Sequence, residues 1–334
     1  MKIVIDAMGG DYGPSVVIQG AVQAAKEYSV GIVFVGDAEK IKRELSKHKV
    51  RGLDIEVYHA EEAIEMHEPA AASVRKKRDS SIVKGINLLK EGKADAFISA
   101  GNTGAVVCAA TLSLRMLSGI ERPGISIIVP TLKGVSLLID VGANIDPKPL
   151  HLLHYGVMSD AYARYILNKE NPSVGLLNVG EEEGKGTDFI KETFALLEKS
   201  GLNFIGNVEG RDIFSGTCDI IVCDGFVGNA ILKVSEGLAE TISVFLYREL
   251  MRNVVTKLGV LLLKSGLKRF KKTMDYSEYG GAPLLGVDGI VIISHGRSNA
   301  KAIKNAVRVA KEEVERKVNE KIMESIQRNL PAAP

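Results

Sequence analysis

Short β-branched runs alternate with amphipathic stretches along almost the whole chain. The runs fall at 2–5, 31–35, 54–58, 94–99, 126–129, 136–139, 174–178, 220–222 and 289–293. Several are apolar on both faces, as strands in the middle of a parallel sheet are. Helical patterns occupy 15–28, 37–47, 79–91, 104–117, 150–168, 187–199 and 298–328. Pro14 suits a first helical turn, and Thr187 and Ser298 suit caps. Such alternation predicts an α/β fold, a largely parallel sheet flanked by helices. The closing NLPAAP is expected to fray.

One stretch breaks the rhythm. Residues 229–272 read as helix with no strand, and Leu238, Ile242, Leu246, Leu250, Val254, Leu258 and Leu262 recur every four residues as an apolar stripe. Residues 248–272 carry eight Lys or Arg against a single acid, Glu249. The run 260–263, which includes Leu261, Leu262 and Leu263, cannot point all its side chains to one side of a helix. Beside Lys264, Lys268, Arg269, Lys271 and Lys272 it predicts a protruding arm that meets a second subunit at its base and anionic lipid at its tip. A core helix with a solvated basic end is the plainer alternative.

Composition narrows the function classes. The 334 residues hold 46% hydrophobic side chains, no tryptophan and 5% aromatics, and the net charge is +2. That leaves no stacking platform for nucleic acid and no global field to draw a polyanion. Cys108, Cys218 and Cys223 lack metal or disulfide-framework spacing and read as small buried hydrophobes. The start, MKIVIDAMGGD, meets a carboxylate at residue 6, unlike a signal peptide. No apolar stretch approaches the roughly 18 residues of a membrane span. These features place the chain in the cytoplasm, or at most on a membrane surface.

Ligands of open parallel sheets gather at the carboxyl ends of strands. Six predicted strands end in turns that join glycine to Asp, Asn, Ser or Thr. They are DAMGGD (Asp6, Gly9, Gly10, Asp11), SAGNTGA (Gly101, Asn102, Thr103, Gly104), DVGAN (Asp140, Asn144), NVGEEEGKG (Lys185, Gly186), CDGFVGN (Asp224, Gly225, Gly228, Asn229) and SHGRS (His295, Arg297). Glycine in such a turn either relieves crowding between strand and helix or lets backbone N–H groups approach an anion. Converging, the six would make one crevice rich in neutral donors, suited to an oxyanion. Lys185 can reach a phosphate or simply lie on the surface. His295 can donate to a carbonyl or thiolate, or bond to backbone. The dinucleotide, P-loop, zincin and nucleophile-elbow motifs are all missing. The expected site positions and neutralises reactants, with no cofactor, no metal and no covalent nucleophile.

The same strings, together with NVEGRDI (207–213) and YGGAPLLGV (279–287), resemble the PlsX family of phosphate acyltransferases from residue 2 to about 310. The resemblance implies a fold similar to the phosphotransacetylases and the isocitrate and isopropylmalate dehydrogenases. It implies a homodimer that reversibly transfers a fatty acyl group from acyl carrier protein to inorganic phosphate. The acyl phosphate then passes to a membrane glycerol-3-phosphate acyltransferase, and the enzyme sits peripherally on the inner face of the cell membrane. Around the reaction centre it places Lys185, Asp224, Asn229 and His295. Phosphate and substrate fall to Gly9, Gly10, Asp11, Gly101, Asn102, Thr103, Gly104, Asn144, Gly186, Gly225 and Gly228. An acidic carrier protein needs a basic landing surface, for which Arg75, Lys76, Lys77 and Arg78 compete with the arm. Residues 1–120 with 288–334 are expected in one lobe, and 121–287, including an arm at 229–275, in the other. A decarboxylating dehydrogenase of the same fold, or a non-catalytic membrane scaffold, are the competing readings.

Overall fold

The computed structural model describes residues 1–274 and 276–329, with the side chains of Lys271, Lys272, Met274 and Tyr276 outside that description. The closing stretch expected to fray lies, past Asn329, outside the described residues. Eleven strands form one sheet: β1 (Lys2–Asp6), β2 (Gly31–Gly36), β3 (Ile55–His59), β4 (Ala96–Ser99), β5 (Gly124–Thr131), β6 (Gly134–Ile139), β7 (Ser173–Leu177), β8 (Asn203–Val208), β9 (Ile220–Val222), β10 (Ala282–Leu285) and β11 (Ile290–Ile293). Their order is β3-β2-β1-β4-β11-β10-β5-β6-β9-β7-β8. The helices are α1 (Gly13–Tyr28), α2 (Ala38–Leu45), α3 (Ala70–Lys76), α4 (Ser81–Lys90), α5 (Thr103–Leu114), α6 (Pro149–Tyr165), α7 (Asp188–Glu198), α8 (Gly225–Leu250), α9 (Val254–Met274), α10 (Ala300–Glu315) and α11 (Val318–Asn329).

Strand alternation sorts the core into two layers. Ile3, Ile5, Ala96, Ile98, Leu137 and Ile139 point to one face, with α1, α6 and α10. Val4, Phe97 and Leu138 point to the other, with α4 and α5. The sheet is mostly parallel, but three consecutive pairings, β11–β10, β10–β5 and β5–β6, are antiparallel. Three reversals make β6, β9, β7 and β8 run opposite to β1, β2, β3, β4 and β11. The two half-sheets are also staggered. Ile293, the last residue of β11, pairs with Ala282, and Ile292 pairs with Pro283. Leu284 pairs with Ile125, and Ser126 pairs with Ile139, the last residue of β6. Continuing that register sets Ile139 level with Ile292. The halves thus step past each other, and both carboxyl edges open into the step.

Several elements depart from the sequence pattern for identifiable reasons. The 126–129 and 136–139 runs form an antiparallel hairpin, since buried strands look alike in either direction. Strand β10 hides behind Pro283, and β8 behind Gly206 at φ +95° and a bulge facing Val174 and Leu176. The arm is two helices, because the Asn253 side chain accepts from Thr256 N at 3.0 Å and caps a new start. The 298–328 pattern also divides, at Lys317 with φ +53°. Helix α3 carries no apolar period long enough to be noticed.

Glu313 of α10 is buried at 2% exposure, and the Tyr162 hydroxyl of α6 donates to its Oε1 at 3.1 Å. Burial pushes the Glu313 carboxyl up to about 8 from an ordinary 4.5. The folded protein therefore binds a proton at neutral pH that the unfolded chain has released. This contribution to stability is complete below pH 4.5 and is lost as pH rises through about 8. Glu313→Gln should leave the melting temperature nearly unchanged at pH 5 and raise it at pH 8. A difference that is flat across pH in thermal melts would contradict a protonated Glu313.

Candidate active site

The step between the half-sheets holds a cavity of about 350 Å³. Its walls are Ile125, Ile127 and Ile128 of β5, Val141, Leu232, Ala282 and Ile293. Polar groups converge on the same space: Thr103 and Gly104 at the start of α5, Gly142 after β6, Ser294, His295 and Ser298 after β11, and Asn229, Lys233 and Glu236 on α8. The four α8 residues Asn229, Leu232, Lys233 and Glu236 follow i, i+3, i+4, i+7 spacing and so share one helical face.

Four of the six glycine turns form this wall and a fifth braces it. In the bracing turn, Asp6 is buried at the end of β1 and accepts Met8 N at 3.0 Å and Ser99 Oγ at 2.7 Å. Asp11 N donates to Gly296 O at 2.8 Å, tying the 6–11 turn to the His295 loop. A Cβ at Gly9 would stand 2.6 Å from Gly101 N, so the 6–11 and 99–104 turns touch backbone to backbone. Gly9, Gly10 and Asp11 therefore stand behind the cavity, outside its lining. The sixth turn, after β7, lies apart. Lys185 is exposed there, 3.9 Å from Glu182, and Gly186 occupies the turn at φ +86°. Neither lines the cavity.

The CDGFVGN turn owes its glycines to crowding. Asp140 is fully buried and accepts four backbone N–H groups, from Ile125, Gly142, Ala143 and Asn144, at 2.7–3.1 Å. Helix α8 starts against this knot. A Cβ at Gly225 would meet Asn144 O at 2.4 Å, and one at Gly228 would meet Asp140 O at 1.9 Å. Two first-turn donors of α8 are used internally: Gly225 N donates to Asn144 O, and Val227 N to the Asp224 carboxylate, each at 2.9 Å. Asp224 is the N-cap of α8. Asn144 Nδ2 donates to Pro123 O at 2.6 Å and to the Tyr155 hydroxyl at 2.7 Å. Asp224, Gly225, Gly228 and Asn144 thus shape the wall without lining it.

Asn102 is likewise engaged. Its Oδ1 accepts Ala105 N at 3.0 Å, capping α5, and its Nδ2 donates to the carbonyls of Glu65, Met66 and Glu68 at 3.0–3.2 Å. Gly101 packs behind it against Ser99 Oγ, which accepts Gly101 N at 3.0 Å. This arrangement leaves the Thr103 and Gly104 amides, the first two of α5, at the cavity wall, where a helix N-terminus favours negative charge.

His295 faces Lys233 and Glu236. Arg297 N donates to His295 Nδ1 at 3.0 Å, so the neutral ring carries its proton on Nε2. That Nε2 lies 3.2 Å from Lys233 Nζ and 3.8 Å from Glu236 Oε2, and Lys233 Nζ lies 2.9 Å from the same oxygen. Partial burial lowers the His295 pKa most, Glu236 opposes, and Lys233 and Arg297 add to the lowering. A neutral donor results. Ser294 Oγ is buried, lines the cavity, and has no hydrogen-bond partner among the described residues. A buried hydroxyl left unpaired calls for a ligand or water. Lys233, Glu236 and Ser294 were not legible as site residues, although the helical spacing from Asn229 points to the first two.

The basic cluster 75–78 ends α3, which packs against α5. Lys77 is committed inward, its Nζ 2.8 Å from Ala63 O and 2.5 Å from Glu68 Oε1, whereas Arg75, Lys76 and Arg78 are exposed. On the arm, Leu261, Leu262 and Leu263 are 66%, 87% and 59% exposed, beside Lys264, Lys268 and Arg269. The side chains of Lys271 and Lys272 lie outside the described residues. No described helix is long and apolar enough to cross a membrane.

Comparison with known proteins adds kinship to this geometry. Residues 1–321 match the model of a family described as fatty acid synthesis protein. A phosphate acyltransferase of Geotalea uraniireducens is 50% identical over 331 residues, covering 99% of this chain and 96% of the relative. One from Dictyoglomus turgidum is 52% identical, covering 98% of each. Among solved structures, a phosphotransacetylase from Streptococcus pyogenes superposes with a TM-score of 0.62 at 18% identity, covering 94% of both chains. The EutD phosphotransacetylase from Staphylococcus aureus gives 0.61 at 15%, with the same coverage. At that identity the likeness is one of fold.

Because the carbonyl of Asp140 occupies the place of a Gly228 side chain, Gly228→Ala should cost about 3 kcal/mol or more. Denaturant melts check this, and a variant of near wild-type stability would mean that α8 can withdraw from the 140–144 turn.

Proposed function

Since this chain belongs to the fatty acid synthesis protein family of phosphate acyltransferases, we propose that its cavity is where a fatty acyl group passes from acyl carrier protein to inorganic phosphate. A phosphate oxygen attacks the thioester carbonyl carbon, and the C–O bond forms as the C–S bond breaks. The proton of hydrogen phosphate ends on the carrier thiol. Phosphate is already an anionic nucleophile, so the protein needs to bind, orient and stabilise charge. The observation that carries this reading is the meeting of an apolar wall with convergent neutral donors in one cavity. Ile125, Ile127, Ile128 and Val141 suit an acyl chain. The Thr103 and Gly104 amides suit an anion, the Asn229 amide the thioester oxygen, and the Nε2–H of His295 the developing charge on oxygen or sulfur. Lys185 enters from outside the cavity, as a cation on the next loop that meets the part of the substrate left in solvent.

The surfaces fit the same scheme. Arg75 and Lys76 on α3, the helix beside α5, and Arg78 just past its end suit an acidic carrier protein, and the basic arm is the second candidate. The exposed stripe of α8 suits a second copy of the chain. The tip of α9 suits anionic lipid, and with it the glycerol-3-phosphate acyltransferase that would consume the product. The step in the sheet along β10 supports a first lobe of 1–120 with 288–334 and a second of 121–287.

Incubated with acyl carrier thioester and phosphate, the protein should form acyl phosphate that hydroxylamine traps. Absence of hydroxamate with well-folded protein would defeat the reading. Asn229→Ala should lower kcat about 10²–10³-fold with little effect on folding. Raising ionic strength should weaken use of carrier-bound substrate more than use of a short thioester, because exposed charge pairs are screened. Equal losses on both substrates would remove carrier docking through Arg75, Lys76 and Arg78.

A further inference from the structure

Among the described residues lining the cavity, one carries a permanent positive charge, Lys233. It stands one helical turn beyond Asn229 on the α8 face turned to the cavity. Its ammonium is held by Glu236 at 2.9 Å, and the Nε2 of His295 lies 3.2 Å away. The ring accepts the Arg297 amide on Nδ1, so Nε2 carries the proton and is a donor, as the ammonium is. Two donors facing each other at that distance do not satisfy one another. The carboxylate of Glu236, which holds the ammonium and lies 3.8 Å from Nε2, is an acceptor beside both. A carboxylate on an anion-binding wall is otherwise unfavourable, because it repels an incoming phosphate. Its place makes sense as an internal anion that keeps Lys233 and His295 aimed at the cavity while it is empty.

We infer that Lys233 is the cation that receives inorganic phosphate, with Glu236 as the acceptor that holds it until phosphate arrives. This rests on the acyl-transfer reading above. On arrival, phosphate oxygens take the hydrogen bonds of the ammonium and of His295 Nε2–H, and the Thr103 and Gly104 amides and the unpartnered Ser294 hydroxyl line the same space. Lys233 is then a substrate-binding residue and Glu236 a positioning residue. The assignment also accounts for phosphate recognition inside the cavity without Lys185, which stands on another loop.

The two substitutions should move phosphate affinity in opposite directions. Lys233→Met keeps the apolar stem and removes the charge. It should raise the KM for phosphate by about tenfold or more, as loss of a charge-assisted hydrogen bond does, while changing the thioester KM less. Lys233→Arg should recover much of the loss. Glu236→Gln removes the competing negative charge and should lower the phosphate KM. A structural pair would behave otherwise, with phosphate KM rising alike on both substitutions, and that result would overturn the inference. So would a phosphate KM within twofold of wild type in Lys233→Met. A second readout needs no turnover: inorganic phosphate should raise the melting temperature of the wild-type protein and not that of Lys233→Met. If wild-type protein forms no acyl phosphate yet keeps this Lys233-dependent shift, the acyl-transfer reading fails and the phosphate seat stands. If it makes acyl phosphate and the shift is the same in both proteins, the seat fails and the reading stands.

Discussion

The structure depends on a change of direction in the middle of the sheet. Three consecutive antiparallel pairings set one parallel half-sheet against another running the opposite way. In an open parallel sheet the loops that bind ligands lie along one edge. Reversing half of the strands would normally send half of those loops to the far edge. Here the stagger along β5 offsets the halves, so the end of β11 and the end of β6 come level. The carboxyl edges then face each other across the step, and the cavity fills it. Thr103, Gly104, Gly142, Asn229, Lys233, Glu236, Ser294, His295 and Ser298 all reach the cavity from elements beginning at one of these two edges.

Two buried carboxylates hold the edges open in the required shape. Asp6 ends β1 and Asp140 follows β6, each in a turn that reads Asp with glycine close behind. Burial raises both carboxyl pKa values; hydrogen bonds from Ser81 and Ser99, and then from backbone N–H groups, oppose the rise at Asp6, and backbone N–H groups alone oppose it at Asp140. A carboxylate that collects several N–H groups folds the chain tightly around itself, which fixes the turn but leaves no room for side chains nearby. The glycines at 9, 225 and 228 answer that demand, since each would place a Cβ within 2.8 Å of a neighbouring turn. Much of what looks like an anion-binding signature is therefore internal scaffolding. The donors left for a ligand are the few that the scaffold does not consume, at Thr103, Gly104, Asn229 and Ser294.

This explains which parts of the molecule could be read from sequence. The alternation of strands and helices was legible because buried strands and amphipathic helices have different periods. The list of turns was legible because strand ends rich in glycine and small polar residues are distinctive. Direction was not legible, as the β5–β6 hairpin looks like two central parallel strands, and β10 contains a proline. Nor did composition separate turns that bind from turns that brace, because Asn102 and Asp224 offer the same atoms to backbone as they would to substrate. Lys233 and Glu236 escaped because they sit inside a helix, one and two turns past the glycine motif. Attention to loops passes over them, although their spacing from Asn229 is that of a single helical face.

Helix α8 finally joins chemistry to location. Its 26 residues span about 39 Å at the usual helical rise. The first three turns pack against the Asp140 knot and present Asn229, Lys233 and Glu236 to the cavity. Farther along, Leu238, Ile242 and Phe245 are 49–58% exposed, and α9 continues with Leu258 and Leu262 bare. A contiguous apolar surface of that kind is costly in water and marks a face made for contact. Because the same rod carries both features, whatever covers the arm fixes the direction from which the cavity meets its surroundings. An acyl phosphate is an amphiphile with a long tail and a doubly charged head. A cavity with apolar walls and a polar end, built at the root of an apolar arm, matches both parts of such a product and the phase into which its tail partitions.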